Sequence, residues 1–219
     1  MIPIAFEIAL PDLLLGVVES HSVPRGPADA ALDAEIDAVM ALHVAETTPD
    51  PVKTAVRDLL RVGGYKPAGR GKPASEYLAQ AADRGEFPRI SHIVDALNLV
   101  SLETRLPISL LDAARVMDGT DALVIRFGRP GESYVFNSIG HEIDVEGLVL
   151  VARQNGAALG NPVKDSMMAK TTDQTTRTVA FIWGSRRALD QAAMLEVCQR
   201  LSNLLRGVQT EIRVEFDGS

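Results

Sequence analysis

P-R-I-S-H-I-V-D-A-L-N-L-V-S-L-E-T-R-L-P-I-S-L-L-D, from Pro88 to Asp112, carries two periodicities at once. Ile90, Ile93, Val94, Leu97 and Val100 recur at helical spacing, which buries one stripe of a helix. At roughly 100° per residue, Ser91, Asp95 and Asn98 fall on a second, polar stripe. Polar side chains at such a border suit the reading of a polar ligand at the rim of a core. His92 lies away from the apolar stripe and is expected in solvent.

Upstream, I-P-I-A-F-E-I and L-L-L-G-V-V-E-S read as strand or extended segments. A helix is predicted over about 28–44, with Leu32, Ile36, Val39, Met40 and a structural His43 on one face. Thr48-Pro49-Asp50-Pro51 then introduces a helix over 51–62. Its Lys53, Arg57 and Arg61 recur every four residues as a basic row. The row runs into G-G-Y-K-P-A-G-R-G-K-P, which brings Tyr65, Lys66, Arg70 and Lys72. Glycines allow close approach to phosphates, and cations with an aromatic suit an RNA strand. A solvated helix face followed by a flexible connection is the plainer alternative. Gly69-Arg70-Gly71-x-x-Ala74 echoes a dinucleotide fingerprint but follows a helix rather than a strand, with Pro73 inside it.

Downstream of a helix over 74–83 and of the quoted stretch, the chain turns predominantly β. D-A-L-V-I-R-F, S-Y-V-F, L-V-L-V-A and T-V-A-F-I-W alternate with G-R-P-G-E, N-S-I-G-H-E and N-G turn signals. A helix over 187–206 and a strand over 210–216 end the series. One α+β domain over 1–219, a mixed sheet flanked by helices, is the fold expected.

Composition narrows the chemistry. With 46% hydrophobic and 23% charged residues, the chain reads as globular, and no apolar run is long enough for a membrane span. A cytoplasmic location and no membrane partner are expected. The single Cys198 falls in an apolar helical stripe, and no Cys/His cluster has zinc spacing, so no metal or other cofactor is expected. The net charge of -7 is uneven: residues 1–50 carry -8 and residues 51–219 carry +1, which leaves room for a basic face. Phosphate-binding, zinc-protease and serine-hydrolase motifs are lacking, and His21, His43, His92 and His141 are scattered.

The region Val56–Trp183 resembles the B3/B4 editing domain of the beta chain of phenylalanyl-tRNA synthetase. The likeness rests on the order of its parts: Gly64 and Pro67; Pro73 to Leu78; Ile93-Val94-Asp95-x-x-Asn98; Pro107 to Asp112; D-G-T-D-A-L-V-I-R-F-G-R-P-G-E with Arg126 and Gly131-Glu132; then L-V-L-V-A-R, A-A-L-G and a Thr-rich stretch. The resemblance implies a proofreading chamber that hydrolyses the ester of a misacylated tRNA. Without a synthetase core in the chain, it implies a free-standing relative acting in trans on the aminoacylated 3' end, without synthetase activity.

The resemblance also assigns residues. The family's pocket Asn falls on Asn98, its pocket His on Ser109, and the acid that reads the tyrosine hydroxyl near Ile182. An Ile cannot accept a hydroxyl's hydrogen bond, so a substrate amino acid other than tyrosine is implied. Gly160-Asn161-Pro162-Val163-Lys164-Asp165-Ser166 and Lys170-Thr171-Thr172-x-x-Thr175 replace the family's glycine-rich pocket loop. Lys164 would meet the terminal ribose-phosphate, Asp165 the α-ammonium, and Ser166, Thr172 or Thr175 a water; Asp95, Ser109, Gly160 and Asn161 would line the pocket. A polar turn capped by its own hydroxyls is the structural alternative. Hydrolysis without a covalent intermediate is expected, because no nucleophile has a neighbouring base. Two other functions fit the same residues: a tRNA- or RNA-binding module without catalysis, and a binder of free amino acids or metabolites.

Overall fold

Nine consecutive buried or nearly buried residues, Leu13–His21, form the strand around which the molecule is organised. In the computed structural model, which describes residues 1–43, 50–154 and 156–216, the chain runs β1 (Ile4–Phe6), β2 (Leu13–His21), α1 (Ala30–Leu42), α2 (Pro51–Arg61) and α3 (Ala74–Ala82). It continues through α4 (His92–Thr104), β3 (Ile108–Asp112), α5 (Ala113–Val116), β4 (Leu123–Phe127), β5 (Ser133–Val135) and β6 (Glu142–Asp144). Then follow β7 (Val149–Arg153), β8 (Ala158–Gly160), β9 (Arg177–Ser185), α6 (Gln191–Leu205) and β10 (Gln209–Glu215). Val44, the expected end of the first helix, and the expected turn residues Thr48, Pro49 and Asn155 lie outside the described residues.

Two four-stranded sheets, β1-β4-β7-β8 and β10-β2-β9-β3, share one apolar core, and β5 and β6 form a separate ribbon. The α+β class is therefore as the sequence implies. β2 and β9 are both long and apolar because each has a strand on either side: Gly16 pairs with Ile182, and Ile182 pairs in turn with Ile108. Gly16 is required by packing, since a Cβ there would lie 2.6 Å from the Cys198 sulfur of α6. Burial pushes the Cys198 thiol up to about 12, as expected of a core cysteine.

The helices begin where the sequence provides acceptors. Asp29, Asp50, Asp112 and Asp190 cap α1, α2, α5 and α6 by accepting backbone N–H groups. Two expectations for α4 are corrected. Ile90 precedes the helix and is 67% exposed, whereas His92 is buried with its Nε2 2.9 Å from the Leu204 carbonyl. Against α6, that side of α4 is an interface, so a polar ring is retained there by a hydrogen bond. Short strands β3, β6 and β8 do not stand out in the sequence.

Candidate functional site

The edge strands β3 and β8 approach each other, and the segment after β8 is fixed there by side chains. Asn161 folds as an Asx turn: its Oδ1 accepts from Val163 N at 2.7 Å and Lys164 N at 2.9 Å. Its Nδ2 donates to the Tyr134 hydroxyl, which donates to the Lys164 carbonyl. Burial, with the nearby Asp165 next in weight, holds the Tyr134 phenol well above its usual range, so the donor keeps its proton. Ser109 Oγ donates to the Asn161 carbonyl and accepts from Trp183 Nε1, both at 3.1 Å. Ser166 Oγ accepts from Met168 N at 3.2 Å, and Met167 N donates to the Val135 carbonyl at 2.9 Å. The structure thus brings together Ser109, Gly160, Asn161, Lys164, Asp165 and Ser166, and adds Tyr134.

Beside this turn is a cleft of about 300 Å³ lined by Tyr65, Arg70, Gly71, Phe136, Lys164 and the β6 segment His141–Asp144. Lys164 Nζ stands 3.9 Å from the centre of the Phe136 ring, a cation–π contact. Burial, then Arg70 and Lys170, lowers the pKa of Lys164. Arg70 is held by its turn, where Tyr65 and Tyr77 hydroxyls donate to the carbonyls of Gly71 at 3.2 Å and Gly69 at 2.8 Å. Burial pushes the Tyr65 phenol up to about 12. Glu142 and Asp144 contribute carboxylates, each holding one local donor: Ser133 Oγ at 3.1 Å and Glu146 N at 2.9 Å. The cleft therefore has cations, acids and aromatic surface within one enclosure.

Asp165 is not among the residues that line this cleft. Its Oδ2 accepts from Leu110 N at 3.3 Å, while its Oδ1 is shut off from solvent and lacks a partner among the described residues. Oδ1 faces Gly160, where a Cβ would come within 2.7 Å. Burial pushes this carboxyl up to about 6, against the pull of Ser109 and Lys170. The acidic residues that line the cleft are instead Glu142 and Asp144.

Other expected site residues lie elsewhere. Asp95 is buried, and its Oδ1 accepts from Ile90 N at 2.8 Å, closing the entry to α4; burial raises its pKa. Asn98 is half-buried in mid-helix and lines neither this cleft nor the one beside Thr172. Thr172 lines that second cleft, of about 390 Å³. Thr175 Oγ1 accepts from Thr172 N at 2.8 Å and donates to Asp112 at 2.6 Å, so the threonines serve a turn separate from the Asp165 loop. Ile182 is wholly buried in β9.

The basic row on α2 is interrupted by its neighbours. Arg57 binds Glu76 through two 2.6 Å hydrogen bonds, and Arg61 pairs with Asp58 at 2.6 Å. Lys53 lies in a small recess with Asp50, Glu76 and Asp83. Of the loop cations, Lys66 and Arg70 are exposed and Lys72 is half-buried. Among the described residues, no group of three or more His, Cys, Asp or Glu is placed to hold a metal ion, and no helix is long and apolar enough to cross a membrane.

Residues 68–187 match the profile of the B3/4 domain, and this chain belongs to that family. Over 103 residues it is 31% identical to the phenylalanine–tRNA ligase beta subunit of Nitrosospira multiformis, covering 47% of this chain and 12% of that protein. The same subunit of Gloeobacter violaceus is 28% identical over 184 residues, 82% of this chain and 20% of that protein. The chain thus spans a fifth or less of the length of these relatives. An N-terminal fragment of the phenylalanyl-tRNA synthetase beta subunit from Pyrococcus horikoshii aligns with a TM-score of 0.46 and 12% identity, over 97% of this chain and 50% of that one.

Proposed function

We propose that the chain is a hydrolase of misacylated tRNA, acting in trans on an amino acid other than tyrosine. The observation that carries this reading is the cleft lining, with Arg70 and Lys164 for the nucleic-acid end and Asp144 and Glu142 for an α-ammonium. Membership of the B3/4 family, together with the similarity to beta subunits of phenylalanine–tRNA ligase, supports the same substrate class. Tyr65 and Phe136 offer surface on which the terminal base can stack.

The reaction needs little beyond placement. Water adds to the ester carbonyl, the bond to the ribose oxygen breaks, that oxygen takes up a proton, and the amino acid leaves as its carboxylate. In this reading Lys164, at the wall of the cleft, stabilises the developing oxyanion. Ser109 is a poor nucleophile here, because its hydroxyl is buried and donates to a carbonyl rather than to a base. The exclusion of tyrosine rests on the family resemblance alone: it puts the acid that reads the tyrosine hydroxyl at Ile182, which offers no acceptor and is buried in β9 outside this cleft.

The test is release of amino acid from a panel of correctly and wrongly charged tRNAs, with Asp144→Asn beside the unaltered protein. Turnover of one mischarged species, lost in the variant, is expected. Binding of tRNA at low salt without turnover would leave a binding module instead.

A further inference from the structure

Asn137 and His141 close the turn between β5 and β6, and the scheme above gives neither a role. The turn is tight: Phe136 N donates to the His141 carbonyl at 2.9 Å, and Gly140, at φ +83°, donates to the Asn137 carbonyl at 3.1 Å. Asn137 Oδ1 accepts from His141 N at 2.9 Å. That bond turns the Asn137 amide nitrogen toward the ring, where it lies 3.1 Å from His141 Nδ1. An amide nitrogen can only donate, so Nδ1 must accept and the neutral ring carries its proton on Nε2. A backbone contact thereby settles a tautomer that ring geometry alone leaves open.

The ring is also well placed. Phe136 lies 6.1 Å away, centre to centre, and the same aromatic ring carries Lys164 Nζ. Phe136 and His141 adjoin each other at the end of the ribbon whose register the pairing of Tyr134 with Ile143 sets. Among the described residues Nε2 has no hydrogen-bond partner.

We propose that His141 is a substrate-binding donor whose Nε2–H, fixed by Asn137, binds a phosphate oxygen of the nucleic-acid end together with Arg70. This rests on the reading of the cleft as the site for a tRNA end. A neutral donor adds a hydrogen bond without adding to the repulsion that Arg70 and Lys170 already exert on Lys164.

Two measurements test it, and neither uses turnover. Two-bond ¹⁵N spectra of the neutral protein should show the His141 proton on Nε2; a proton on Nδ1 overturns the proposal. Affinity for the trinucleotide CCA should fall about tenfold in His141→Ala, the loss of roughly one good hydrogen bond. In His141→Gln, whose amide nitrogen reaches the position of Nε2, most of that affinity should return, with melting temperatures unchanged in both variants. Equal weakness of Gln and Ala, or no binding of CCA by the unaltered protein, overturns it. A protein that binds CCA through His141 but releases no amino acid contradicts only the hydrolase reading.

Discussion

The polar stripe of α4 and the turn after β8 resemble each other in the sequence, since both set carboxyl, amide and hydroxyl groups against apolar runs. In the structure they differ in where those groups are directed. Asp95 closes its own helix, and Thr172 and Thr175 tie their own turn to Asp112. The turn at 161–166 is also tied down, but it holds Lys164 at the wall of an open cleft and leaves one oxygen of Asp165 unpaired. The hydrogen-bond partners of a polar cluster, more than its composition, separate a cap from a candidate site.

The largest effect belongs to a residue outside the cleft. Arg57→Ala strands Glu76, a carboxylate 7% exposed, and should cost about 3–5 kcal/mol in urea unfolding. A fall in RNA binding by that variant would report unfolding rather than a lost phosphate contact.

Asp165→Asn should act in the opposite direction. Burial pushes the folded carboxyl up to about 6, above the 3.8 of an unperturbed Asp, so its penalty on stability is absent below about pH 4 and complete above about pH 6. Replacement should stabilise the protein by on the order of 3 kcal/mol at pH 7 and flatten the stability profile between those limits. Unfolding midpoints measured across pH check both. A variant that is no more stable at pH 7 would mean that Asp165 finds a partner in solution.

Asp95→Ala should cost about 1 kcal/mol, the value of a helix-entry hydrogen bond, and leave the cleft chemistry unchanged. Arg70→Ala should alter stability by less than about 0.5 kcal/mol, since the side chain is exposed. Its effect should appear in tRNA binding as a salt slope shallower by about one.

Much of the fold was legible. α1 to α4, α6, β4, β7 and β9 follow from apolar spacing and Pro/Gly punctuation. Short strands such as β3, β6 and β8 escaped because three to five residues show no period that distinguishes them from loop. The family was legible from the order of its segments. The site was legible only in part: Lys164, Asn161, Ser109 and Arg70 converge, but Tyr134, His141, Glu142 and Asp144 enter through the β5–β6 ribbon. Nothing local marks the register of that ribbon against the turn at 161–166. Arg57 was misleading for a related reason: its partner Glu76 lies on another helix, and a cation's partner across helices cannot be read from spacing along one of them.

The most direct test of the account compares hydrolysis of the preferred mischarged tRNA by Lys164→Met and Asn98→Ala. With the reacting ester bound in the cleft, Lys164→Met should lose about 100-fold or more in kcat/KM, as when an oxyanion donor is removed, while Asn98→Ala stays within about threefold of the unaltered protein. Loss of turnover in Asn98→Ala, with Lys164→Met active, would contradict the account and return the site to the polar stripe of α4.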